Sequence, residues 1–314
     1  MSDDRRSAKK IFCIMGQTAA GKTLLAARLA KHFPFDIISV DSAMIYCGMN
    51  IGTAKPTVAE LKITPHHLID ICDPSEIYSA GQFCQDAVTK IEEIFARGRV
   101  PLLVGGTMLY FHALQHGISN LPRSDEEVRA KIKEDKDKFG LEELYLRLQK
   151  IDPETAAKVS STDSQRIQRA LEVYEITGKS LSELKFISPP KPLPYQVENI
   201  ILAPLDIRNL RRKIRKRFDQ MIELGFIEEV QQLYSRGDLN PDLPSIRTVG
   251  YRQVWQYLSG QINYDQMLEL VPIATNQLAK RQLTWLRSWK DTSWFDSDSA
   301  ELISLVMKAV SISS

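Results

Sequence analysis

Short apolar runs alternate with helix-period stripes along the first part of the chain. Lys10–Met15 (Lys-Ile-Phe-Cys-Ile-Met) has the length and composition of a buried strand, and Leu24–Ala30 that follows is a run of good helix formers. Phe35–Val40 reads as a second strand, His66–Pro74 as a third that leaves into a turn, and Val100–Val104 as a fourth. Before the fourth, Ser79-Ala80-Gly81-Gln82 forms a capping box. Phe83, Ala87, Ile91, Ile94 and Phe95 then set an apolar stripe that Gly98 closes. Strands alternating with helices predict right-handed crossovers and a mostly parallel sheet.

From Leu121 the pattern changes. Ser124-Asp125-Glu126-Glu127 predicts a capped helix, charged on most faces, as far as Gly140. Leu141, Leu144, Leu148 and Ile151 carry a second helix that Asp152-Pro153 ends, and Thr162-Asp163 caps a third. In that third helix Arg166 and Arg169 share one side, with Ile167, Ala170, Leu171 and Tyr174 on the other, and Gly178-Lys179-Ser180 marks its end. Ser188–Pro194 reads as a semi-rigid linker. No strand candidate falls between Leu121 and Pro194, so residues 121–194 are expected to be a helical insertion between two parts of one core, 1–120 and 195–314.

The core resumes with a fifth strand at Val197–Ala203. A basic helix follows, in which Arg208, Arg211, Arg212, Lys213, Arg215, Lys216 and Arg217 surround an inner face of Leu210, Ile214, Phe218, Met221 and Ile222. Further on, Pro272 is expected to open a helix. Its stripe of Gln277, Lys280, Arg281, Thr284 and Arg287 lies opposite Ala274, Leu278, Trp285 and Trp289, with the tryptophans expected in the core.

Composition adds few constraints. With 43% apolar and 25% charged residues in 314, the chain has the make-up of an ordinary globular protein, and a net charge of +2 excludes a global field for polyanions. Any such site must be local. Cys13, Cys47, Cys72 and Cys84 lack Cys-x-x-Cys spacing and read as free thiols of a reducing compartment. Met1–Arg6 contains no apolar signal-like segment, and no window approaches about 18 uncharged apolar residues. The expectation is a cytoplasmic protein without a membrane span.

The candidate chemistry centres on Gly16-Gln17-Thr18-Ala19-Ala20-Gly21-Lys22-Thr23, which fits G-x-x-x-x-G-K-[ST] between the first strand and the first helix. Gly16 and Gly21 are expected to take positive φ and to bring backbone N–H groups close to an anion, Lys22 to add a point charge, and Thr23 to hold Mg²⁺. A diphosphate or triphosphate is the ligand such a loop implies. The expected fold class is therefore α/β: a P-loop NTPase-like parallel sheet flanked by helices, with an inserted all-helical subdomain. Asp41 stands at the carboxyl end of the second strand, where open α/β sheets bind ligands. The fourth strand ends in Gly105-Gly106-Thr107 rather than in a Walker-B carboxylate; Asp41 or Asp70 remain as substitutes, and ATP hydrolysis is weakened as a reading. Adjacent His66 and His67 would point to opposite faces of a strand and cannot chelate one ion. The basic helix, the stretch Arg247–Arg252 and the stripe from Lys280 to Arg287 suit a diphosphate or a nucleic-acid backbone.

In order and spacing from Lys10 to Trp289, the blocks Gly16–Thr23, Ile38–Tyr46, Gly48–Pro56, Gly105–Tyr110, Arg247–Gln253 and Lys280–Gln282 together resemble the bacterial tRNA dimethylallyltransferases. The resemblance implies transfer of a dimethylallyl group from dimethylallyl diphosphate to N6 of the adenosine 3′ of the anticodon. The substrates would be tRNAs reading codons that begin with U, and the products N6-dimethylallyladenosine and diphosphate. It implies a monomeric prenyltransferase using Mg²⁺ on Thr23, with Gly16–Thr23 on the diphosphate and Asp41 orienting the exocyclic amine and taking its proton. Lys22, Thr23 and Thr107 would complete the catalytic set. Asp41, Ser42, Ala43, Met44, Thr107, Arg129, Gln165, Arg166, Ile167, Gln168, Arg169, Lys280, Arg281, Thr284 and Arg287 would contact the anticodon stem-loop. Arg247 and Arg252, with the basic residues from Arg208 on, would lie at the leaving diphosphate or the RNA. Departures from the family pattern are Gln17 where Pro is common, Met44-Ile45 for Gln-Val, and Cys47 for Arg. Rival readings are a small-molecule kinase using the loop for ATP, an isopentenyltransferase acting on free adenine nucleotides, and a non-catalytic nucleic-acid-binding regulator.

Overall fold

The computed structural model describes residues 9–119 and 121–313. Met1–Arg6, read above for targeting signals, lie outside them. The chain divides into two compact units, one running to Gln115 and resuming at Pro194, the other spanning His116–Leu193.

The first unit opens with β1 (Lys10–Gly16), α1 (Lys22–Leu29), β2 (Phe35–Val40), α2 (Val58–Ile63), β3 (His66–His67), α3 (Ala80–Ala96), β4 (Val100–Gly105) and α4 (Met108–His116). The second unit is built from α5 (Glu126–Ile151), α6 (Pro153–Lys158), α7 (Ser164–Thr177) and α8 (Leu181–Ile187). The first unit then resumes with β5 (Gln196–Ala203), α9 (Ile207–Glu223), α10 (Phe226–Tyr234), α11 (Tyr251–Leu258), α12 (Tyr264–Arg287), β6 (Thr292–Asp296) and α13 (Leu302–Ser313). The six strands form one parallel sheet in the order β3-β2-β4-β1-β5-β6. The apolar runs form its buried middle: Phe12 lies opposite Leu102 on one side and Glu198 on the other, and Ile14 opposite Val104 and Ile200. One face packs on α1 and α13 through Leu25, Leu29, Val306 and Val310. A separate cluster joins Ile45, Tyr46 and Met49 to Phe226 and Val230 of α10, Tyr251 of α11 and Val271 of α12.

Close backbone approach decides two glycines. A Cβ on Gly105, at the end of β4, would fall on the Val40 carbonyl, and one on Gly16 would stand 2.5 Å from the Leu202 oxygen. Side chains there would wedge apart the neighbouring strands that carry Asp41 and the phosphate loop.

Four expectations are corrected. The third strand is only two residues long, because Leu68 (φ 61°) and Asp70 (φ 55°) turn into the left-handed region; Cys72 then makes an isolated bridge to Tyr46. Pro272 lies inside α12 rather than at its start, since the capping box of Asn263 and Gln266 starts the helix earlier and burial of Pro272 beside Val271 offsets the lost N–H bond. Asp125, not Ser124, caps α5, its carboxylate accepting from Val128 N at 3.0 Å. Trp285 is 36% exposed rather than in the core, and Trp289 is half-buried with its Nε1 donating to Gln115. The apolar pattern does not mark α2, α4, α6, α8, α10, α11, β6 or α13.

The second unit has its own core of Ile132, Leu144, Leu148, Ile167 and Leu171. Gly140 (φ 86°) breaks α5 where the charged helix was expected to end, and Gly178 (φ 68°) caps α7. Its most costly feature is Glu172, fully buried, whose carboxylate accepts from Arg129 Nε at 2.8 Å, Arg169 Nη1 at 2.8 Å and Asp125 N at 3.0 Å. A carboxylate taken out of water holds only when so many donors meet it.

Gly105→Ala is expected to destabilise the first unit by about 3 kcal/mol through overpacking against rigid backbone. Urea unfolding followed by tryptophan fluorescence measures it.

Candidate active site

The phosphate loop is shaped differently from the sequence expectation. Gly21 takes φ 82° as the N-cap of α1, but the second left-handed residue is Ala19 (φ 61°), and Gly16 serves by its missing side chain instead. Lys22 Nζ folds back to donate to the Gln17 carbonyl at 2.7 Å. Helix α12 braces the loop: Gln17 Nε2 donates to the Ala279 carbonyl at 3.0 Å, and Thr18 N donates to Gln282 Oε1 at 2.8 Å. The other end of the Gln282 amide donates to the Gly106 carbonyl at 2.9 Å. One amide thus ties the loop to the end of β4. The sequence offers Gln282 only within the block Lys280–Gln282, because the fold alone brings residues so distant in sequence together.

Asp41 follows β2 directly. Its Oδ1 accepts from Ala43 N (2.9 Å) and Met44 N (3.3 Å), so one oxygen holds the turn that positions residues 42–44. Its Oδ2 accepts no hydrogen bond from the described residues, so a carboxylate oxygen remains for a ligand. Thr107 joins this corner by accepting from Ser42 N at 2.9 Å and donating to Ser42 Oγ at 3.2 Å.

A cavity of about 660 Å³ is lined by Lys22, Thr23, Asp41, Gly106, Arg217 and Gln282, whereas Thr107, expected in the catalytic set, stands behind Ser42 and does not line it. Helix α9 adds an apolar wall of Ile214, Phe218 and Met221, residues that recur on the face carrying Arg217. Of the basic residues on α9, Arg217 is the one that reaches this cavity, and its Nη2 donates to the Thr53 carbonyl at 3.1 Å. Arg247 and Arg252 are exposed and do not line it. Burial pulls the Lys22 ammonium down to about 8; Asp41 opposes that shift and Arg217 reinforces it. Arg217 is lowered too, by burial first, against the pull of Asp41. Two desolvated cations beside one carboxylate make a site short of negative charge.

The other expected contact residues divide by exposure. Lys280, Arg281, Thr284 and Arg287 form an exposed stripe on α12. In the second unit Gln165 and Arg166 are exposed and Gln168 is half-buried, whereas Ile167 is fully buried in the helical core and offers no side chain to a partner. Arg129 and Arg169 are both engaged by Glu172, and Arg169 Nη2 also donates to the Pro122 carbonyl at 2.6 Å. His66 and His67 form the short edge strand, with His66 Nδ1 2.7 Å from the Thr64 carbonyl.

Thr23 is one hydroxyl donor on the cavity wall, and among the described residues no group of three or more His, Cys, Asp or Glu could hold a metal ion. A lone hydroxyl fits Mg²⁺, which draws most of its ligands from substrate phosphates and water. It does not fit a cation held by the protein alone.

The fold and site define a phosphate-loop α/β protein whose anion cradle shares a cavity with a carboxylate and an apolar wall. The model of one family, IPP transferase, matches residues 44–289. A curated tRNA dimethylallyltransferase of Coxiella burnetii is 58% identical over 297 residues, covering 95% of this chain and 96% of that protein. Among solved structures, the full-length tRNA isopentenylpyrophosphate transferase of Bacillus halodurans is similar at TM-score 0.70 and 38% identity, with 96% of each chain covered. A eukaryotic dimethylallyltransferase acting on tRNA is similar at TM-score 0.82 and 29% identity, over 98% of this chain and 79% of that one. The chain belongs to the IPP transferase family.

Because an anion favours the protonated amine, a ligand at Lys22 raises that group's pKa, and binding takes up a proton at and above pH 8. Pyrophosphate affinity is expected to fall as pH rises through 8, by up to about tenfold per pH unit relative to Lys22→Arg, which stays charged. Isothermal titration calorimetry across pH 7 to about 10, the range around this titration, measures the difference.

Proposed function

We propose that this chain transfers the dimethylallyl group of dimethylallyl diphosphate to N6 of the adenosine 3′ of the anticodon in tRNA. The observation that carries the reading is that one cavity contains both the anion cradle of Lys22 and Thr23 and the Asp41 carboxylate, with an apolar wall from α9. A kinase loop needs its cradle, but it does not need an apolar wall beside the acceptor carboxylate. Family membership supports the same chemistry.

In this reading Lys22 and the N–H groups at the start of α1 receive the diphosphate, and Arg217 stands ready for the charge that grows on it as the allylic C–O bond breaks. Ile214, Phe218 and Met221 shelter the dimethylallyl carbons from water. Asp41 Oδ2 accepts the hydrogen bond of the adenine amine, aligns its nitrogen on the allylic carbon, and takes the proton as the N–C bond forms. Diphosphate and the N6-dimethylallyl base are the products, and no water is activated. That is why β4 can end in Gly-Gly-Thr. Mg²⁺ held at Thr23 would add charge to neutralise the leaving diphosphate.

An adenine stacked in RNA cannot reach this cavity, so the base must be extruded from a single-stranded loop. The exposed stripe Lys280, Arg281, Thr284 and Arg287, and in the second unit Gln165 and Arg166, are the surfaces we assign to the RNA backbone. Ser42–Met44 and Thr107 are assigned to the extruded nucleotide because they adjoin Asp41. The protein is read as a monomer acting in the cytoplasm. Among the described residues no helix is long and apolar enough to cross a membrane.

The test is transfer of labelled dimethylallyl from its diphosphate to an anticodon stem-loop with adenosine 3′ of the anticodon, in the presence of Mg²⁺. Wild type is expected to label the RNA at that base, and Asp41→Ala to be slower by about 10²- to 10⁴-fold, the usual contribution of a general base. A folded wild type that leaves the RNA unlabelled refutes the reading and returns the kinase alternative.

A further inference from the structure

Glu229, in the first turn of α10, is a buried carboxylate for which the transfer chemistry has no direct use, and the sequence blocks did not single it out. It is 8% exposed, yet no cation reaches it by hydrogen bond among the described residues. Four neutral donors meet it instead. Its Oε2 accepts from the backbone N–H of Asn50 (2.8 Å) and Ile51 (2.7 Å); its Oε1 accepts from Gly52 N (3.1 Å) and the Tyr251 hydroxyl (2.5 Å). Three successive N–H groups converging on one carboxylate fix the path of that loop closely. Gly52 is pressed on the rings of Phe226 and Tyr251, with no room for a Cβ.

The loop so held is part of the cavity. Gly52, Thr53 and Ala54 line it, and the Thr53 hydroxyl locks the turn further by donating to the Met49 carbonyl at 2.7 Å. The Thr53 carbonyl then accepts from Arg217 Nη2 at 3.1 Å. A continuous path runs from Glu229 through Asn50–Gly52 to Thr53 and on to the guanidinium.

We propose that Glu229 is a positioning residue for the donor diphosphate: by gathering the Asn50–Gly52 N–H groups and the Tyr251 hydroxyl, it sets the Thr53 carbonyl that holds Arg217 in place. The inference rests on the reading above, that this cavity takes a diphosphate. A carboxylate suits the task because it accepts at both oxygens, whereas glutamine would turn an NH₂ toward donors and lose part of the set. Glu229 touches no reacting atom, so its removal displaces Arg217 rather than deleting a catalytic group.

The test binds inorganic pyrophosphate with Mg²⁺ to wild type, Glu229→Gln, Arg217→Lys and the double variant by calorimetry, and measures both KM values and kcat in the transfer assay. Glu229→Gln is expected to weaken pyrophosphate binding and raise KM for the allylic diphosphate by about tenfold, in line with loss of hydrogen bonds to a charged group. KM for the RNA should stay within about twofold, because a residue acting through Arg217 alters donor rather than RNA binding. The double variant should bind no more weakly than the weaker single variant, since both act on one path. Unchanged pyrophosphate affinity and KM with only a smaller active fraction would show a merely structural role, and additive losses would break the path; either overturns the proposal. Should Glu229→Gln fail to fold, Tyr251→Phe keeps the ring packing and removes one of the four donors. It is then expected to weaken pyrophosphate binding by about threefold, and no change overturns the proposal. Wild type that binds no pyrophosphate overturns the diphosphate reading itself, a result distinct from equal binding by wild type and variant.

Discussion

The structure depends on a phosphate loop whose strained backbone is held in shape from outside. Backbone N–H groups at the start of α1 have no helical partner, Ala19 is held at φ 61°, and Lys22 Nζ donates to the Gln17 carbonyl. Such a loop keeps its shape only if something outside it bears the strain. That brace is α12, whose Ala279 carbonyl accepts from Gln17 and whose Gln282 amide spans Thr18 and Gly106. Burial of Gln282 makes the bridge rigid, because an amide shielded from water loses more by letting go of its partners than an exposed one.

The same economy appears at Asp41. One carboxylate oxygen is a structural acceptor, folding Ala43 and Met44 around the end of β2, and the other is left to the cavity. The structural and chemical readings of this residue are therefore not alternatives. The turn fixes the side chain so that its remaining lone pairs point where a ligand can use them, at no rotamer cost on binding. Lys22 and Arg217, both pulled down by burial, gain from an incoming anion for the same reason: part of their hydration is already lost.

How much of this was legible follows from how local each signal is. The phosphate loop, Asp41 and the basic helix were readable because strand, loop and helix periods lie within a few residues of each other. The helical insertion was readable from the lack of any alternating run after Leu121. The short third strand was not, since nothing in His66–Pro74 announces that Leu68 and Asp70 turn left-handed. Pro272 misled because a proline inside a helix is tolerated only where packing offsets the lost bond, and packing is not written in the local sequence. Glu229, Gln282 and the choice of Arg217 among its basic neighbours were out of reach for a stronger reason. Glu229 meets residues some 177 to 179 positions away, and Gln282 meets Thr18 across 264.

These long-range ties give α12 two faces with different duties. Its inner face holds the phosphate loop, and its outer face carries Lys280, Arg281, Thr284 and Arg287 into solvent. A polyanion seated on the outer stripe would press on the same helix that braces the phosphate loop. Consecutive residues, Ala279 inward and Lys280 and Arg281 outward, leave little slack between the two surfaces. In the proposed function the RNA-facing stripe and the donor cradle are therefore separate in chemistry but share one mechanical support. On that reading, a polyanion bound in the wrong register would strain α12 and, through Gln282, the phosphate loop that Thr18 and Gly106 tie to it.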